Sequence, residues 1–500
     1  MSSTMADAFV NADSSGRILA VDVGTSSARV SMVARDGSVV AHVVTGGGQD
    51  SPDGDFDLEQ LWARLSTAIA DVVAIAGQPD AVAVAAQLGT VFLDEALRPV
   101  GPVLSWQDRR AASFAEALAV DLGAEAIAVA GRRPAPEHAA ACALWFSDTT
   151  KDGWSRTRWI VTVKDAINAR LTGNVVTDAT SASYSLLFDV VLRKWSEALS
   201  DAAHVPIHRL PPVLGAAESV GAITAVASVA TGLREGIVVA VGGPDGSVGA
   251  LGAGLVEVGT TVDIAGTTDV LLHAVDRPVV DRTGRSLLNA YLLPGMWTIG
   301  GPTGMTGGAI AWLCRLLGFP AVEEAFDRLG SQAATLAPGS DGVRFYPSLT
   351  GERFPHWRGD ADAMIAGLRA HHGPAHLLHA AEEGCAFLLR EGLEALGDLG
   401  FPVTSVHVSG GVSRRRQTMQ LRAAAWDRKV IPLATTQATT TGSAILAAVC
   451  GGTFASVQDA AQAMVGRAEA VIPDGAAVLK YDNAYRTWSR GRRLNAEVTA

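Results

Sequence analysis

The chain has 500 residues, of which 48% are hydrophobic and 6% aromatic, and its formal net charge at pH 7 is −11. This length predicts two or three domains, and the abundance of Ala and Gly favours helices packed closely on sheets in an α/β architecture. The acidic balance argues against a nucleic-acid partner, which needs clustered Lys and Arg, and the apolar runs are too short to predict a membrane span.

The cysteines also exclude some classes of protein. Four are scattered along the chain without any C-x-x-C pairing, at Cys142, Cys314, Cys385 and Cys450. This pattern predicts buried thiols and neither a disulfide framework nor a zinc site.

The N-terminal residues lack a basic region followed by an apolar core, so no secretory signal is predicted. The expected location is the cytoplasm.

The first predicted elements are a hairpin, a helix and a strand. Two apolar stretches flank Asp36-Gly37, a dipeptide typical of a hairpin turn. Residues 58–73 have apolar side chains at helical spacing, and Asp57 precedes them as a suitable N-cap. Residues 81–87 are typical of a buried parallel strand.

The loop before this hairpin is rich in small and hydroxylated residues. Gly24 allows close approach of a phosphate to the backbone, the hydroxyls of Thr25 and Ser26 add donors, and Arg29 adds charge. Asp22 would repel that phosphate unless a cation lay between them, which predicts Mg²⁺ held through water. The alternative is an ordinary Ser/Thr loop in which Asp22 caps a turn.

The next candidate site is the segment SWQDRRA, residues 105–111. Trp106 offers an aromatic face, and Asp108 and Arg110 offer polar groups, a combination that suits a sugar or polyol. A structural ion pair between Asp108 and Arg110 is the alternative. Residues 111–210 are predicted to form a helical insertion in the first domain, with a helix over Trp159–Leu171 that ends at Thr172-Gly173.

An acid then follows a predicted strand. In GIVVAVGGPDGSVGALGAG the apolar run leads through Gly242-Gly243-Pro244 to Asp245 and a helix of small residues. Asp245 therefore lies at the carboxyl end of a strand, where α/β sheets open their clefts. A carboxylate there can accept the proton of a hydroxyl that attacks the γ-phosphate of ATP. A helix N-cap is the alternative interpretation.

The order hairpin, helix, strand recurs in the second half. Val262–Ala265 leads into Gly266-Thr267-Thr268 and a second strand, Val270–Val275. A helix over about Ala375–Leu396 and a strand over Val403–Val408 follow. Two loops of this kind, facing each other across a cleft, would clamp the β- and γ-phosphates of ATP from both sides.

Paired glycines end a later predicted strand. Gly410 and Gly411 precede a helix that is predicted to begin near Ser413. Without side chains they would let a flat adenine lie against the backbone. A tight turn between strand and helix is the alternative.

In order and spacing, these segments resemble the FGGY carbohydrate kinases, the sugar and polyol kinases of the actin, hexokinase and Hsp70 superfamily. The resemblance spans nearly the whole chain. It is carried by DVGTSSAR (residues 22–29), WQDRR (106–110), LTG (171–173) with TDATSAS (177–183), GGPDGS (242–247), AGTTD (265–269), GERFPHW (351–357) and SGGVS (409–413).

The resemblance implies an α/β fold of two actin-like (ribonuclease H-like) domains with an interdomain cleft. Residues 1–256 would form the sugar-binding domain and residues 257–500 the ATP-binding domain. The implied cofactors are ATP and Mg²⁺, with Asp245 as general base and Asp22 as the magnesium-side acid. The residues implied to bind phosphate or nucleotide are Gly24, Thr25, Ser26, Arg29, Gly266, Thr267, Thr268, Gly307, Gly410 and Gly411.

The acceptor is less clearly indicated. The candidate acceptor-binding residues are Gln87, Leu88, Trp106, Asp108, Arg110 and Asp245. Xylulokinases carry Gln-Met-His-Gly where this chain has Gln87-Leu88-Gly89-Thr90, and often Asn where Gly246 stands. Glycerol kinases place Arg-Glu after the glutamine and Gln after the catalytic aspartate. We therefore predict a ketopentose kinase of altered preference, with a polyol (glycerol or erythritol) or gluconate kinase as the alternative.

A different class of function also remains open. Members of this superfamily can use ATP only to drive closure, so a non-catalytic sensor of sugar or nucleotide is conceivable. The retained acids Asp22 and Asp245 argue against it. The expected partner is a small-molecule sugar or polyol, with neither nucleic acid nor membrane. The oligomeric state is open, with a homodimer as one candidate.

Overall fold

The computed structural model describes residues 7–8, 16–47 and 54–499. Its strands, in chain order, are β1 (Asp7–Ala8), β2 (Ile18–Val23), β3 (Ser27–Val33), β4 (Val39–Gly46), β5 (Asp55–Phe56), β6 (Ala81–Ala86), β7 (Gly89–Leu93), β8 (Val103–Ser105), β9 (Trp159–Thr162), β10 (Thr177–Asp178), β11 (Phe188–Asp189), β12 (Lys194–Trp195), β13 (Val213–Leu214), β14 (Ser219–Ala222), β15 (Val238–Pro244), β16 (Thr261–Ile264), β17 (Thr268–Val275), β18 (Leu287–Ala290), β19 (Trp297–Met305), β20 (Arg344–Tyr346), β21 (Met364–Ala366), β22 (Ser405–Ser409) and β23 (Lys429–Pro432).

Its helices are α1 (Leu58–Ala76), α2 (Ala112–Leu122), α3 (Ala124–Ala130), α4 (Ala139–Thr149), α5 (Lys151–Arg156), α6 (Val163–Thr172), α7 (Ala179–Ser183), α8 (Glu197–Ala202), α9 (Ala225–Thr231), α10 (Asp245–Gly252), α11 (Gly307–Leu316), α12 (Val322–Ala333), α13 (Pro374–Asp398), α14 (Arg416–Trp426), α15 (Ala438–Cys450), α16 (Val457–Met464) and α17 (Gly475–Thr499). Short 3₁₀ turns span Ile207–Arg209, Ser340–Gly342 and Gly411–Arg414.

The chain divides into two compact units. Unit 1 contains the residues up to Val256, together with Val275–Thr298 and Gln437–Val465. Unit 2 contains Glu257–Ala274, Ile299–Thr436 and the residues from Gly466 onward. The domain limits expected from the sequence, 1–256 and 257–500, remain a prediction. The compact units are not continuous in sequence, because Val275–Thr298 and Gln437–Val465 belong to unit 1.

Unit 1 is built on a seven-stranded sheet of order β1-β4-β3-β2-β6-β15-β14. Strands β2, β6 and β15 are parallel, whereas β3 and β4 pair antiparallel on one side of them. The predicted hairpin at Asp36-Gly37 is confirmed as the β3–β4 connection. Helix α1 is capped by the carboxylate of Asp57, as predicted, and buries Leu61, Leu65 and Ile69 in the core of this unit.

The helix predicted over Trp159–Leu171 is wrong in its first turn. Residues Trp159–Thr162 form β9, which pairs antiparallel with β7, and α6 begins at Val163. The carboxylate of Asp165 accepts hydrogen bonds from the Thr162 N–H and hydroxyl at 3.0 and 2.7 Å, which fixes the helix start. The predicted C-cap, Gly173, is confirmed in the left-handed conformation.

The insertion predicted over residues 111–210 is mainly but not wholly helical. It contains α2 to α8, and also β9 to β12. The correction arises because β9 completes a four-stranded sheet of order β5-β8-β7-β9, a long-range pairing that local periodicity does not report.

The sheet of unit 2 has β19, β17, β16, β22 and β23 in this order. Strand β16 pairs antiparallel with β17 and parallel with β22, which in turn is parallel to β23. The predicted strands and the long helix α13 are present, with boundaries that differ by at most two residues from the prediction. Helix α14 begins at Arg416 and not near Ser413, because Gly411–Arg414 form a 3₁₀ turn.

The cysteine side chains are mostly buried, as predicted. All four cysteines are free thiols, and three of them are buried, with Cys450 partly exposed.

In the part of the chain that the structure describes, every helix is too short or too polar to cross a lipid bilayer.

Candidate active site

Asp245 is placed by a glycine bulge at the end of β15. Gly242 has φ +73, and an added Cβ would lie 2.0 Å from the carbonyl oxygen of Val84 on β6. The register of the β6–β15 pair shifts at this point. Pro244 occupies the N-cap position of α10, so Asp245 is already its first helical residue. Among the described residues its carboxylate accepts a hydrogen bond only from the adjacent Gly246 N–H, at 2.7 Å, which is not the N-cap arrangement.

A buried lysine anchors the strand that carries Asp245. Lys164 lies 2.6 Å from the carboxylate of Asp165 and 3.0 Å from that of Asp178. Its ammonium also donates to the carbonyl oxygen of Val241 at 3.2 Å, next to a second bond from Asn168 at 3.0 Å. Two carboxylates compensate the buried charge, so this network fixes the backbone just before the bulge. Sequence reasoning missed it.

The first phosphate loop is joined to two predicted acceptor-binding residues. The Gly24 N–H donates to the Ser27 carbonyl oxygen at 3.0 Å and closes the turn. The Thr25 hydroxyl donates to Gln87 Oε1 at 3.0 Å and accepts from Trp106 Nε1 at 3.1 Å. Gln87 and Trp106 therefore hold the loop in this structure, while Ser26 is exposed.

Asp22 and Asp245 form a pair of interacting acids. Asp22 lies opposite Arg29 in the β2–β3 ladder. Burial and the charge of Asp245 raise the pKa of Asp22 to about 7, and Arg29 opposes this shift. Burial also raises the pKa of Asp245. Two acids that repel each other in this way would be stabilised by a cation.

The donor set at this place fits magnesium better than zinc. No group of three or more His, Cys, Asp or Glu side chains suited to a metal exists among the residues with described positions. Mg²⁺ keeps several waters and needs only one or two protein carboxylates plus phosphate oxygens. Asp22 supplies such a carboxylate.

The ion pair that was the alternative interpretation of the WQDRR segment is present. Arg110 lies 2.8 Å from Asp108 and 2.8 Å from Asp55, and its guanidinium lies 5.0 Å from the ring centroid of Trp145. Leu88 is partly exposed, and its carbonyl oxygen accepts the Trp106 N–H at 3.1 Å. A direct contact of Asp108, Arg110 or Leu88 with an acceptor stays a prediction.

The predicted second phosphate loop, Gly266-Thr267-Thr268 in unit 2, is fixed by its own acid. Asp269 accepts from the Gly266 N–H at 3.3 Å, and its backbone N–H donates to the Thr306 hydroxyl at 3.0 Å. The Gly308 N–H donates to the Thr267 carbonyl oxygen at 3.0 Å, which brings the start of α11 against the loop. These contacts fix the loop from two sides.

Arg422 on α14 joins the acids on both sides of this loop. It forms hydrogen-bonded ion pairs with Asp263 and, at 3.0 Å, with Asp269, and all three side chains are buried. Burial and the charge of Asp269 raise the pKa of Asp263, and Arg422 opposes that shift. Asp263 is therefore a buried acid whose charge is compensated by an arginine. Sequence reasoning did not single out Arg422.

The paired glycines lie close to the same loop. Gly410 has φ +88, and an added Cβ would lie 1.9 Å from the carbonyl oxygen of Ala265, the residue before Gly266. A Cβ at Gly411 would meet no atom within 4 Å. The Ser413 hydroxyl closes the 3₁₀ turn by donating to the Gly410 carbonyl oxygen at 2.8 Å.

Gly307 offers a direct test of the second loop. An added Cβ would lie 2.2 Å from the carbonyl oxygen of Gly266, so Gly307→Ala must displace the loop. We expect the KM for ATP to rise about tenfold or more, since roughly 1.4 kcal/mol of lost binding is tenfold. Gly397→Ala is the matched control, because a Cβ there meets nothing within 4 Å. Equal KM values for both variants would argue against a nucleotide role of this loop.

Sequence reasoning also missed a polar group beside Asp245. The polar side chains of Ser247 and Asn289 and the charge of Asp245 act on the Tyr184 hydroxyl. Arg132 lies behind the Tyr184 ring, with its guanidinium 4.4 Å from the ring centroid. The only sequence signal was the neighbouring TDATSAS segment.

Comparisons with known proteins cover nearly all of the described chain. The FGGY family of carbohydrate kinases, N-terminal domain, matches residues 17–252, and the C-terminal domain of that family matches residues 262–450. A xylulose kinase from Lactococcus lactis subsp. lactis (strain IL1403) is 26% identical over 96% of this chain and 97% of its own. A gluconokinase from Bacillus subtilis (strain 168) is 25% identical over 90% of each chain. The crystal structure of xylulose kinase from Rhodospirillum rubrum superposes with a TM-score of 0.88 at 28% identity, covering 97% of this chain and 99% of that one.

Proposed function

The chain belongs to the FGGY family of carbohydrate kinases, with that family's two-domain, actin-like α/β fold, and from this premise we propose that it transfers the γ-phosphate of ATP to a hydroxyl of a ketopentose. The observation that carries the mechanism is Asp245, an acid at the carboxyl end of a parallel strand that forms no ion pair with any described cationic side chain. Xylulose kinase is also the name of the Lactococcus relative and of the Rhodospirillum structure.

In the proposed reaction Asp245 acts as general base. Its carboxylate takes the proton of the acceptor hydroxyl while the hydroxyl oxygen bonds to the γ-phosphorus. The bond from that phosphorus to the β,γ-bridging oxygen breaks, and ADP leaves with the electron pair. The raised pKa makes Asp245 a stronger proton acceptor than an exposed aspartate.

We assign the nucleotide mainly to residues 257–500 and the acceptor mainly to residues 1–256. Gly266, Thr267, Thr268 and Gly307 are proposed to contact the phosphates, with Gly410-Gly411 beside adenine. In unit 1, the loop Gly24–Ser26 and Arg29 are proposed to bind phosphate oxygens as well. The reaction then requires ATP and the acceptor to meet with water excluded, since water would otherwise accept the phosphoryl group.

We further propose that Mg²⁺ accompanies ATP and is held by Asp22 through water. The ion would supply charge neutralisation for the phosphates and for the interacting acids Asp22 and Asp245. The raised pKa of Asp22 supports this assignment, since it reports an acid that lacks a sufficient positive partner.

We expect the activity to be lost on acidification, and the loss to begin at a higher pH than an aspartate of ordinary pKa would give. Asp245 must be ionised to accept a proton, and burial raises its pKa above the ordinary value of about 3.9. Protonation therefore begins at higher pH than for an exposed aspartate, and the acid limb of the kcat/KM profile for the acceptor should be shifted to higher pH in the same direction. The measurement is kcat/KM at saturating ATP from about pH 3.5 to about pH 9. An acid limb centred at or below the ordinary aspartate value of about 3.9 would contradict the assignment.

The function is tested by ADP release with ATP and Mg²⁺ across ketopentoses, tetritols, glycerol and gluconate, in wild type and Asp245→Ala. We expect at least one acceptor to stimulate ADP release in the wild type only. Gluconate is the second candidate, because the Bacillus subtilis relative is named a gluconokinase. A panel without stimulation, together with ATP binding, would instead indicate the non-catalytic sensor.

A further inference from the structure

We propose that Arg132 recognises a carbonyl or carboxylate oxygen of the acceptor, so that the site prefers ketoses and sugar acids to acceptors that carry hydroxyls alone. This inference rests on the proposed function and narrows the acceptor class of the same site. It is carried by four residues beside Asp245, here called the acceptor wall: Arg132, Tyr184, Ser247 and Asn289.

Arg132 is a buried cation without an acidic partner. Its side chain is 2% exposed, and its guanidinium donates to Asn289 Oδ1 and, at 3.5 Å, to the Leu288 carbonyl oxygen. Its Nε has no hydrogen-bond partner among the residues that the structure describes. Within the described ranges, no carboxylate lies at ion-pair distance from Arg132. Buried charges are usually paired, so this arginine has unused capacity for an acceptor of hydrogen bonds.

The groups around Arg132 leave its charge uncompensated. Burial lowers the pKa of Arg132 to about 10, so the guanidinium stays charged at neutral pH. Burial and the charge of Arg132 lower the pKa of His138 to about 3, which keeps the imidazole neutral. Glu137 interacts with Arg132 only through its charge, and its ion pair at 3.4 Å is with Arg109.

Tyr184 connects the acceptor wall to Asp245, the proposed general base. The Tyr184 ring covers the guanidinium of Arg132 at 4.4 Å, and the Tyr184 hydroxyl interacts with the polar side chains of Ser247 and Asn289. Ser247 lies two residues after Asp245 on α10. The Ser183 hydroxyl accepts the Ala290 N–H at 3.1 Å, which ties the segment before Tyr184 to the strand that carries Asn289.

The chemistry of the guanidinium selects the acceptor class. Arginine donates hydrogen bonds and accepts none, whereas ketone and carboxylate oxygens accept and donate none. A polyol hydroxyl can also accept from Arg132, but its own hydrogen then needs a second acceptor, which the guanidinium cannot supply. A carboxylate adds a charge-assisted bond. A ketose and a sugar acid both offer an oxygen that only accepts hydrogen bonds. The experiment below distinguishes which of the two the site prefers.

The test compares acceptors of matched chain length in wild type, Arg132→Gln and Arg132→Lys. The probes are D-xylulose, D-xylonate and xylitol, and the six-carbon set D-fructose, D-gluconate and D-glucitol. We expect wild-type kcat/KM for a ketose or an acid to exceed that for the matched polyol by about 10²-fold or more. Arg132→Gln should lose most of that ratio, Arg132→Lys should retain part of it, and the polyol value should change little.

The control is Arg133→Gln. Arg133 is exposed, and its guanidinium donates to the Thr283 carbonyl oxygen at 2.8 Å, so its loss should leave the ratio unchanged. Preference for the ketose identifies the carbonyl as the recognised group, and preference for the acid identifies the carboxylate. If Arg132→Gln does not fold, Asn289→Ala and Tyr184→Phe replace it, because both change the setting of the guanidinium.

Two results would overturn the inference while the proposed function stands. One is a polyol used as well as its matched ketose and acid by the wild type. The other is an equal loss for all three acceptors in Arg132→Gln, which indicates a structural role only. If no acceptor stimulates ADP release, the proposed function fails. The inference about Arg132 is then tested by measuring how much each of the same six compounds raises the melting temperature of the wild type. Equal stabilisation by polyol, ketose and acid, or none by any of them, would then overturn it.

Discussion

Replacing Asp245 with Asn is expected to lower kcat by about 10²- to 10⁴-fold, the usual contribution of a general base. The amide has nearly the same shape, and its oxygen can still accept the Gly246 N–H, but it cannot take a proton from the acceptor. Because removal of a carboxylate with a raised pKa relieves a buried charge, the variant should fold at least as stably as the wild type.

The measurement is kcat with the best acceptor, together with the melting temperature and the affinity for ATP. Asp201→Asn on α8 is the control, since Asp201 is exposed and lies outside every segment assigned to the site. A kcat for Asp245→Asn within a few-fold of that for Asp201→Asn would mean that another group is the base.

Replacing Arg422 with Gln is expected to have the largest effect on stability, about 3–5 kcal/mol, because it leaves two buried carboxylates facing each other without a cation. Asp263 and Asp269 both bond to Arg422 in a region excluded from solvent. Asp269 also holds the Gly266 N–H, so the second phosphate loop should be displaced and the KM for ATP should rise.

This prediction is checked by denaturant unfolding and by the separate KM values for ATP and the acceptor. Arg390→Gln is the matched control in unit 2, because Arg390 also bridges two acids, Glu394 at 3.0 Å and Asp482 at 2.7 Å, but contacts no part of the loop. Asp263→Asn combined with Arg422→Gln should recover part of the stability. Similar effects of Arg422→Gln and Arg390→Gln on the KM for ATP would contradict a positioning role for Arg422.

Local patterns in the sequence were sufficient for the elements and motifs that depend on neighbouring residues. The cap at Asp57, the hairpin at Asp36-Gly37 and the strand that leads to Asp245 are each determined over a few residues. The β9 strand was missed because a short stretch before a helix has no independent pattern, and its pairing with β7 decides its conformation.

The networks that support the site depend on residues far apart in the chain. Arg132 bonds to Asn289, 157 positions away, and Arg422 bonds to Asp263, 159 positions away. No spacing rule connects such residues before the fold is known. Gln87 and Trp106 show the same limit, since both were predicted to contact the acceptor and the structure joins both to Thr25 of the phosphate loop.

The fate of the γ-phosphate is the most direct test of the central claim, that Asp245 directs it to an acceptor hydroxyl. ATP labelled with ³²P at the γ position would be incubated with the best acceptor and with wild type or Asp245→Asn, and the labelled products separated. We expect labelled acceptor in equal amount to ADP for the wild type, and almost none for the variant. Label found only in inorganic phosphate, or labelled acceptor formed equally by Asp245→Asn, would contradict the claim.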